Sequence, residues 1–452
     1  MNGRIRAVVL AAGKGTRMRS SRPKVLHDLC GRPMLWHVLR ALRDAEILEV
    51  VVVTNADVLP HVEAIARDAG HAATYAVLQE PQLGTGHAVQ IALEHLKASG
   101  GARVLVLNGD LPLVEADLIG RTLLDECALA LVTARMPLPS TYGRVVRDGE
   151  RVTRIVEAKD ATGDELALDE MNAGLYAFDE AILRRIIAEL RPDNAQGEYY
   201  LTDTIGALVH AGERVLPVDA GDHRSVLGVN DRVELSAAAT SLRRRLCEQH
   251  MRAGVTIVDP ATTYLEPDLE LAADVTVHPN TSICGRSRVG AHSEIGPNAR
   301  LRDALIGEHA VVTDSIVVDS VLGDFALVGP WAHVRGKSTI GTGCRIGNFV
   351  EVKKADLAPG VKAAHLTYIG DARVGERSNI GAGTITCNYD GTQKHRTTIG
   401  KDVFIGSNSS LVAPLEIGDR ASTGAGTVVI RDVAEGECVV GNPARVLPKR
   451  TT

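Results

Sequence analysis

The sequence predicts two architectures in tandem: an α/β unit on a largely parallel, Rossmann-like sheet, then a long helix leading into a parallel β-helix of hexapeptide repeats. Three observations carry this. Short aliphatic runs alternate with amphipathic stretches in the first half, aliphatic residues recur every six positions in the second, and more than half of the 44 glycines lie from Gly254 onward. A length of 452 residues fits about two to three domains. The expected boundaries are 1–229 for the α/β domain, 230–253 for the helix and 254–452 for the repeats.

Composition narrows the function. With 50 Lys plus Arg against 56 Asp plus Glu, net −6, the chain lacks the footprint of a purely electrostatic binder, so neither nucleic acid nor a membrane surface is expected as partner. Apolar residues at 45% and charged residues at 23% are ordinary globular usage, and no run approaches a transmembrane span. The first apolar run, Ala7 to Ala12, is too short for a signal-peptide core. Seven cysteines without a CxxC pair indicate neither a disulfide framework nor zinc, so a reducing cytoplasm is expected.

In the first half, Ile5–Leu10, Val50–Thr54, Val104–Leu107 and Ala128–Thr133 read as strands, with helices over Met34–Asp44, Val58–Asp68 and Gly86–Leu96 between them. Ligands of such a sheet bind beyond the carboxyl ends of its strands. The first strand ends in Leu10-Ala11-Ala12-Gly13-Lys14-Gly15-Thr16-Arg17-Met18, with Arg22-Pro23-Lys24 following. Gly13 and Gly15 let backbone amides converge on an anion, while Lys14, Arg17 and Lys24 supply charge to phosphate oxygens. A bare glycine turn with solvated cations is the competing interpretation, and the segment is neither a Walker loop nor a dinucleotide fingerprint. Asn108-Gly109-Asp110 closes another apolar strand, which sets Asp110 at the sheet edge, where a carboxylate can hold Mg²⁺ on substrate phosphates or simply cap a turn.

The full string resembles the signature of sugar-nucleotide pyrophosphorylases. The resemblance implies that Leu10 and Gly13 line the nucleotide, that Gln79, Gly84 and Thr85 read uracil, and that Arg17 and Lys24 act on the phosphates of UTP. It further implies that Asn108 lies by the ribose, although members can carry Tyr there, that Gly143, Glu157 and Asn172 contact the sugar, and that Asn230 joins Asp110 at Mg²⁺.

Asp231 can N-cap a helix running through Val233, Leu235, Leu242, Leu246 and Met251, with Gly254 as its stop. Beyond it, Leu271, Val277, Ile283, Val289, Ile295 and Leu301 fall six apart. After a change of phase so do Ile316, Leu322, Val328, Val334, Ile340, Ile346 and Val352, and later Ile399, Ile405, Leu411, Ile417, Thr423 and Val429. Neither the helix nor the strand period explains this; a parallel β-helix does. Aromatic residues at 3% suit a narrow prism.

If three hexads close one coil, residues 18 apart stack on one face, which pairs Arg335 with Lys353 and Ser407 with Ala425. Stacked cations favour an anion between them, though splayed and screened side chains are equally compatible with the spacing. The small-residue pair fits a thin ligand or merely the prism. The period breaks over Leu357–Tyr368 and Thr386–Thr398, and interruptions of a solenoid often carry function.

Over nearly the whole chain the order of motifs resembles the family of bifunctional UDP-N-acetylglucosamine pyrophosphorylases and glucosamine-1-phosphate N-acetyltransferases. The resemblance implies a left-handed coil. It makes His365 the general base in acetylation of glucosamine 1-phosphate, oriented by Glu351, although Ala364 stands before it where Gly is usual. Arg335, Lys353, Tyr368, Asn379 and Lys394 become sugar-phosphate ligands; Ala382, Asn388, Tyr389, Ser407, Ala425 and Arg445 become acetyl-CoA contacts. The product, N-acetylglucosamine 1-phosphate, would then receive UMP from UTP, and the family's homotrimer would place the acetyl site between subunits. Two alternatives stand beside this: a single-activity hexose-1-phosphate nucleotidyltransferase with a structural β-helix, and a scaffold that binds nucleotide without turnover.

Overall fold

A computed structural model describes residues 5–71, 74–98 and 101–447. The chain divides into two compact units, 1–242 and 243–452.

In the first unit a sheet whose central strands are buried on both faces runs in the order Val215–Asp219, Leu129–Arg135, Glu170–Asp179, Arg103–Asn108, Ile5–Ala11, Glu49–Thr54, Thr74–Leu78. All neighbours run parallel except Glu170–Asp179, which is antiparallel to both of its flanking strands. Helices Met34–Asp44, Leu59–Asp68 and Thr85–His95 occupy the segments whose pattern predicts them. Apolar layers lie on both faces of the sheet: Leu35, Leu39 and Leu107 belong to one, Val51, Val106 and Leu183 to the other. Several strands were not expected from the sequence, Glu170–Asp179 and Val215–Asp219 among them. Thr74–Leu78 is an edge strand in which Val77 is buried while Tyr75, Ala76 and Leu78 stay exposed, and the hairpin of Arg144–Asp148 with Arg151–Val156 is charged along much of its length.

Asp231 accepts from the backbone N–H groups of Val233 and Glu234 at 2.8 and 2.9 Å and opens the helix Arg232–Arg252. No helix among the described residues is long and apolar enough to cross a membrane.

From Thr256 the second unit winds as short parallel strands, consistent with a left-handed β-helix. One prism face is a 12-stranded sheet, and the other two merge into a 17-stranded sheet because strands such as Arg300–Ile306 run through the corner between them. Register partners set the coil length: Val277 meets Ile295, Ile295 meets Val312, Val328 meets Ile346, and Ile346 meets Ala363. Coils are therefore not uniformly eighteen residues long. Two expectations are corrected by this. Ile316 is only half-buried, and Val317 fills the core instead, because the coil from Leu301 to its partner Val317 is shortened at a corner. Leu357–Tyr368 is no interruption either. Ala363 takes the inward slot, and Val352 pairs with Ile369 without a break. Only the second expected break is a true excursion, with Ile380 in register with Ile405 across the extra residues.

Candidate active sites

In the first unit Leu10 and Asn108 end neighbouring strands in register, and the Leu10 carbonyl accepts from Gly109 N–H at 2.8 Å. This carries Gly13 and Asp110 over the same sheet edge. Gly15 has φ 59°, and a Cβ there would fall 2.6 Å from Cβ of Lys24. Glycine is thus required twice, for the turn and for the lysine's approach. Lys24 Nζ pairs with the Asp110 carboxylate and donates to Asn230 Oδ1 at 3.1 Å, with the Lys24 and Asp110 side chains 14% and 16% exposed. Arg17 lies exposed on the short helical turn Thr16–Met18.

Three contacts fix Asn230. Its N–H donates to Glu234 Oε2 at 2.6 Å, Val229 N–H donates to the Asp110 carbonyl at 3.0 Å, and Gly228 N–H donates to the Tyr142 hydroxyl at 2.7 Å. Burial pushes the Tyr142 pKa up to about 12, so the phenol stays protonated. Glu234 and Tyr142 were not singled out in the sequence; the signal for Glu234 was its place in the first helical turn, four residues past Asn230.

The expected uracil stretch folds as a tied loop. Gln79 is buried and donates from Nε2 to the Gly84 carbonyl at 2.9 Å; Thr85 Oγ1 accepts from Leu201 N–H at 3.0 Å; Gln82 Nε2 donates to the Ala12 carbonyl at 2.7 Å, which joins this loop to the phosphate loop. Gly143 accepts from Asn172 N–H at 2.9 Å, so these two share a wall. The Asn172 amide is buried against the Tyr176 hydroxyl, at 2.6 and 2.9 Å, and so already has a partner inside the protein. Glu157 accepts from Thr202 Oγ1 at 3.2 Å, and burial raises its pKa.

Asp110 and Asn230 present two oxygens to one ammonium, a donor set that suits a hard divalent cation with substrate phosphates completing its shell. No group of three His, Cys, Asp or Glu able to cage a metal occurs among the described residues.

In the second unit Arg335 and Lys353 are direct register partners, and Lys353 is in turn in register with Gly370. Lys394, returning from the 389–394 excursion, lies against Lys353. Its proximity, and then that of Arg335, lowers the Lys353 pKa. Tyr368 sits beside Glu351 on the same face. Within one chain Glu351 accepts from Arg335 Nε at 2.9 Å. The residue beside His365 is Asn348, whose Oδ1 lies 3.3 Å from the imidazole Nδ1. Asn348 is 17 residues earlier, one coil back at the same corner.

That corner orders the remaining positions. Ile346, Ala363, Ile380 and Ile405 are successive partners in the 12-stranded sheet, and Phe404 meets Ser422, which aligns Ile405 with Thr423. Two residues past each come Asn348, His365, Ala382, Ser407 and Ala425. One column thus holds the expected base and three expected acetyl-CoA contacts, stepping about 4.8 Å per coil. Backbone hydrogen bonds run along it, from Asn408 N–H to the Ala382 carbonyl at 2.6 Å and from Gly426 N–H to the Ser407 carbonyl at 2.8 Å.

Other expected residues fall elsewhere. Asn379 lies on the 12-stranded face, in register with Lys362 and Phe404, away from the face of Arg335 and Lys353. Asn388 is buried beside Tyr368 and Asp371. Tyr389 is exposed and pairs with Lys394 across the excursion, and Arg445 is exposed on the last strand. His365 and the Lys353 position stand at opposite ends of one face, separated by up to roughly 16 Å of strand.

Residues 7–145 match the MobA-like NTP transferase domain, and residues 319–354 and 396–431 match the bacterial transferase hexapeptide repeats. Among curated proteins, the bifunctional protein GlmU of Brevibacillus brevis is 43% identical over 448 residues, 98% of this chain and 96% of that protein. The proteins of the same name from Corynebacterium glutamicum and Kineococcus radiotolerans are each 44% identical, over 96% and 98% of this chain and 90% of their own length.

Proposed function

We infer function from the premise that this chain belongs to the bifunctional GlmU family: it is an enzyme that acetylates glucosamine 1-phosphate with acetyl-CoA and transfers UMP from UTP to the N-acetylglucosamine 1-phosphate formed, releasing pyrophosphate. The observation that carries the assignment of sites is that each unit gathers its own chemistry. Lys24 meets Asp110 and Asn230 in the first, and His365 heads a column of small residues in the second. The single-activity alternative is not favoured, since relatives matching nearly end to end are named bifunctional.

In uridylyl transfer the sugar phosphate must approach the α-phosphate of UTP in line while pyrophosphate departs, and two anions repel unless cations stand between them. Lys24 and Arg17 fill that role on the phosphate loop, with Leu10 and Gly13 beneath the nucleotide. Gln79, Gly84 and Thr85 form the uracil loop, Asn108 lies toward the ribose, and Gly143, Glu157 and Asn172 line the sugar. Mg²⁺ held by Asp110 and Asn230 would neutralise phosphate charge.

In acetyl transfer Arg335, Lys353 and Lys394 hold the phosphate of glucosamine 1-phosphate, with Tyr368 and Asn379 as further ligands. The amine nitrogen attacks the thioester carbonyl: a C–N bond forms, the C–S bond breaks, CoA leaves as the thiolate, and His365 takes the amine proton and passes it to that thiolate to give the free thiol. With Nδ1 turned to Asn348, Nε2 is the basic nitrogen. Ala382, Ser407 and Ala425 leave a thin strip for the pantetheine arm, with Asn388, Tyr389 and Arg445 as further CoA contacts. The separation of His365 from the cations along one face supports a homotrimer in which neighbouring copies complete the site. A cytoplasmic location, supplying UDP-N-acetylglucosamine for peptidoglycan and lipopolysaccharide synthesis, accords with these substrates.

The test is an omission assay. Purified protein receives glucosamine 1-phosphate, acetyl-CoA, UTP and Mg²⁺, each left out in turn, while free thiol and pyrophosphate are followed. Thiol release should need only the amino sugar and acetyl-CoA, and pyrophosphate should need all four. Pyrophosphate without any thiol release would restore the single-activity reading.

A further inference from the structure

We propose that Asp371 is a positioning residue for acetyl transfer: its carboxylate anchors Asn388 and thereby fixes the neck of the 389–394 excursion against the coil. The inference rests on the acetyl-transfer reading of this unit.

Asp371 is itself held from two sides. It occupies a corner with φ 47°, its N–H donates to the Lys353 carbonyl at 2.9 Å, and its own carbonyl accepts from Thr397 N–H at 3.2 Å. Its backbone therefore belongs to the ladder of the coil before and the coil after. Its Oδ2 accepts from Asn388 Nδ2 at 2.5 Å, and the same amide nitrogen lies 3.4 Å from the Tyr368 hydroxyl. Asn388 is only 7% exposed, so this amide has exchanged water for those two partners.

Asn388 stands where the chain leaves the coil. Its N–H donates to the Thr386 carbonyl at 2.9 Å, and its carbonyl accepts from His395 N–H at 2.8 Å, closing the neck from both arms. Beyond the neck Tyr389 and Lys394 pair across the excursion. The tip is organised by Asp390, which accepts from Thr392 and Gln393 N–H at 2.8 and 2.7 Å and lies 2.6 Å from His395 Nε2. Asp390 thus shapes the loop internally, while Asp371 ties it to the coil.

The tie opposes a real force. Lys394 is brought against Lys353 with Arg335 alongside, and three like charges repel when no anion lies among them. Glu351 answers Arg335. The Asp371 carboxylate acts attractively on Lys353, against the influence of the other two cations. Asp371 therefore holds, through Asn388, the arm that delivers one of these cations.

The experiment uses the full-length protein and thiol release. Asp371→Ala should raise KM for glucosamine 1-phosphate about tenfold or more, the scale of a lost charged hydrogen bond, while kcat stays within about threefold. Asp371→Asn keeps an acceptor for Asn388 and should restore most of the affinity. Asp371→Ala combined with Asn388→Ala should be no worse than Asn388→Ala alone, because the two residues act through one contact. Unchanged KM in Asp371→Ala, an Asp371→Asn protein as impaired as Asp371→Ala, or multiplicative losses in the double variant would each overturn the proposal. Unmutated protein that releases no thiol would instead sink the acetyl-transfer reading itself.

Discussion

Lys24 touches residues 86 and 206 positions away in the chain, and the site proposed in the first unit rests on this convergence. The residue types were legible from the motif strings. Their mutual contacts were not, because a sequence shows that Asp110 ends a strand but not which cation faces it. Asn172 makes the same point from the other side: its type allowed a sugar contact, but no motif showed that its buried amide would pair with the Tyr176 hydroxyl. At this scale Asp110→Ala is expected to abolish pyrophosphate release, since Lys24 loses its counter-charge and the proposed Mg²⁺ site its carboxylate. Thiol release should persist. Pyrophosphate turnover near the unmutated rate would remove Asp110 from the site.

Among the elements, the coil repays closest reading. The six-residue period located its inward residues correctly from Leu271 to Leu301, and again from Leu322 to Val352, because each face needs one buried side chain per coil. What the period could not carry was corner length. Coils lose residues at corners without losing register, which moved the inward slot from Ile316 to Val317 and disguised Ala363 as a break. Corners are also where coils approach most closely. A Cβ at Gly347 would sit 1.9 Å from the Ala364 carbonyl oxygen, the backbone just before His365. Gly347→Ala should therefore cost about 1–3 kcal/mol of stability, measured as a lower midpoint for melting of the β-helix, and should slow thiol release by shifting His365. An unaltered melt would show the corner to be slack. In the first unit, the strands the pattern missed include the exposed edge Thr74–Leu78 and the antiparallel Glu170–Asp179, whose direction no local pattern encodes.

For the molecule as a whole, the division into two compact units matters most. Fold class and the pairing of two activities were legible because each unit has its own periodicity and motif set. The grouping of Asn348 with His365 was not, since it arises only once the coil is closed. His365→Ala should abolish thiol release and leave pyrophosphate release from supplied N-acetylglucosamine 1-phosphate and UTP intact. Loss of both would mean that the two chemistries are not separable.

The column that runs from His365 through Ala382 and Ser407 to Ala425 also acts as a gauge. It advances only in whole coils, so the distance from the imidazole to the far end is quantised at roughly three sheet spacings, about 14 Å. Adding or deleting a coil there would lengthen or shorten the strip by one increment while leaving the rest of the ladder intact. If the column is the proposed acetyl-CoA strip, reach for an acyl carrier is counted in turns of the chain rather than tuned by individual side chains.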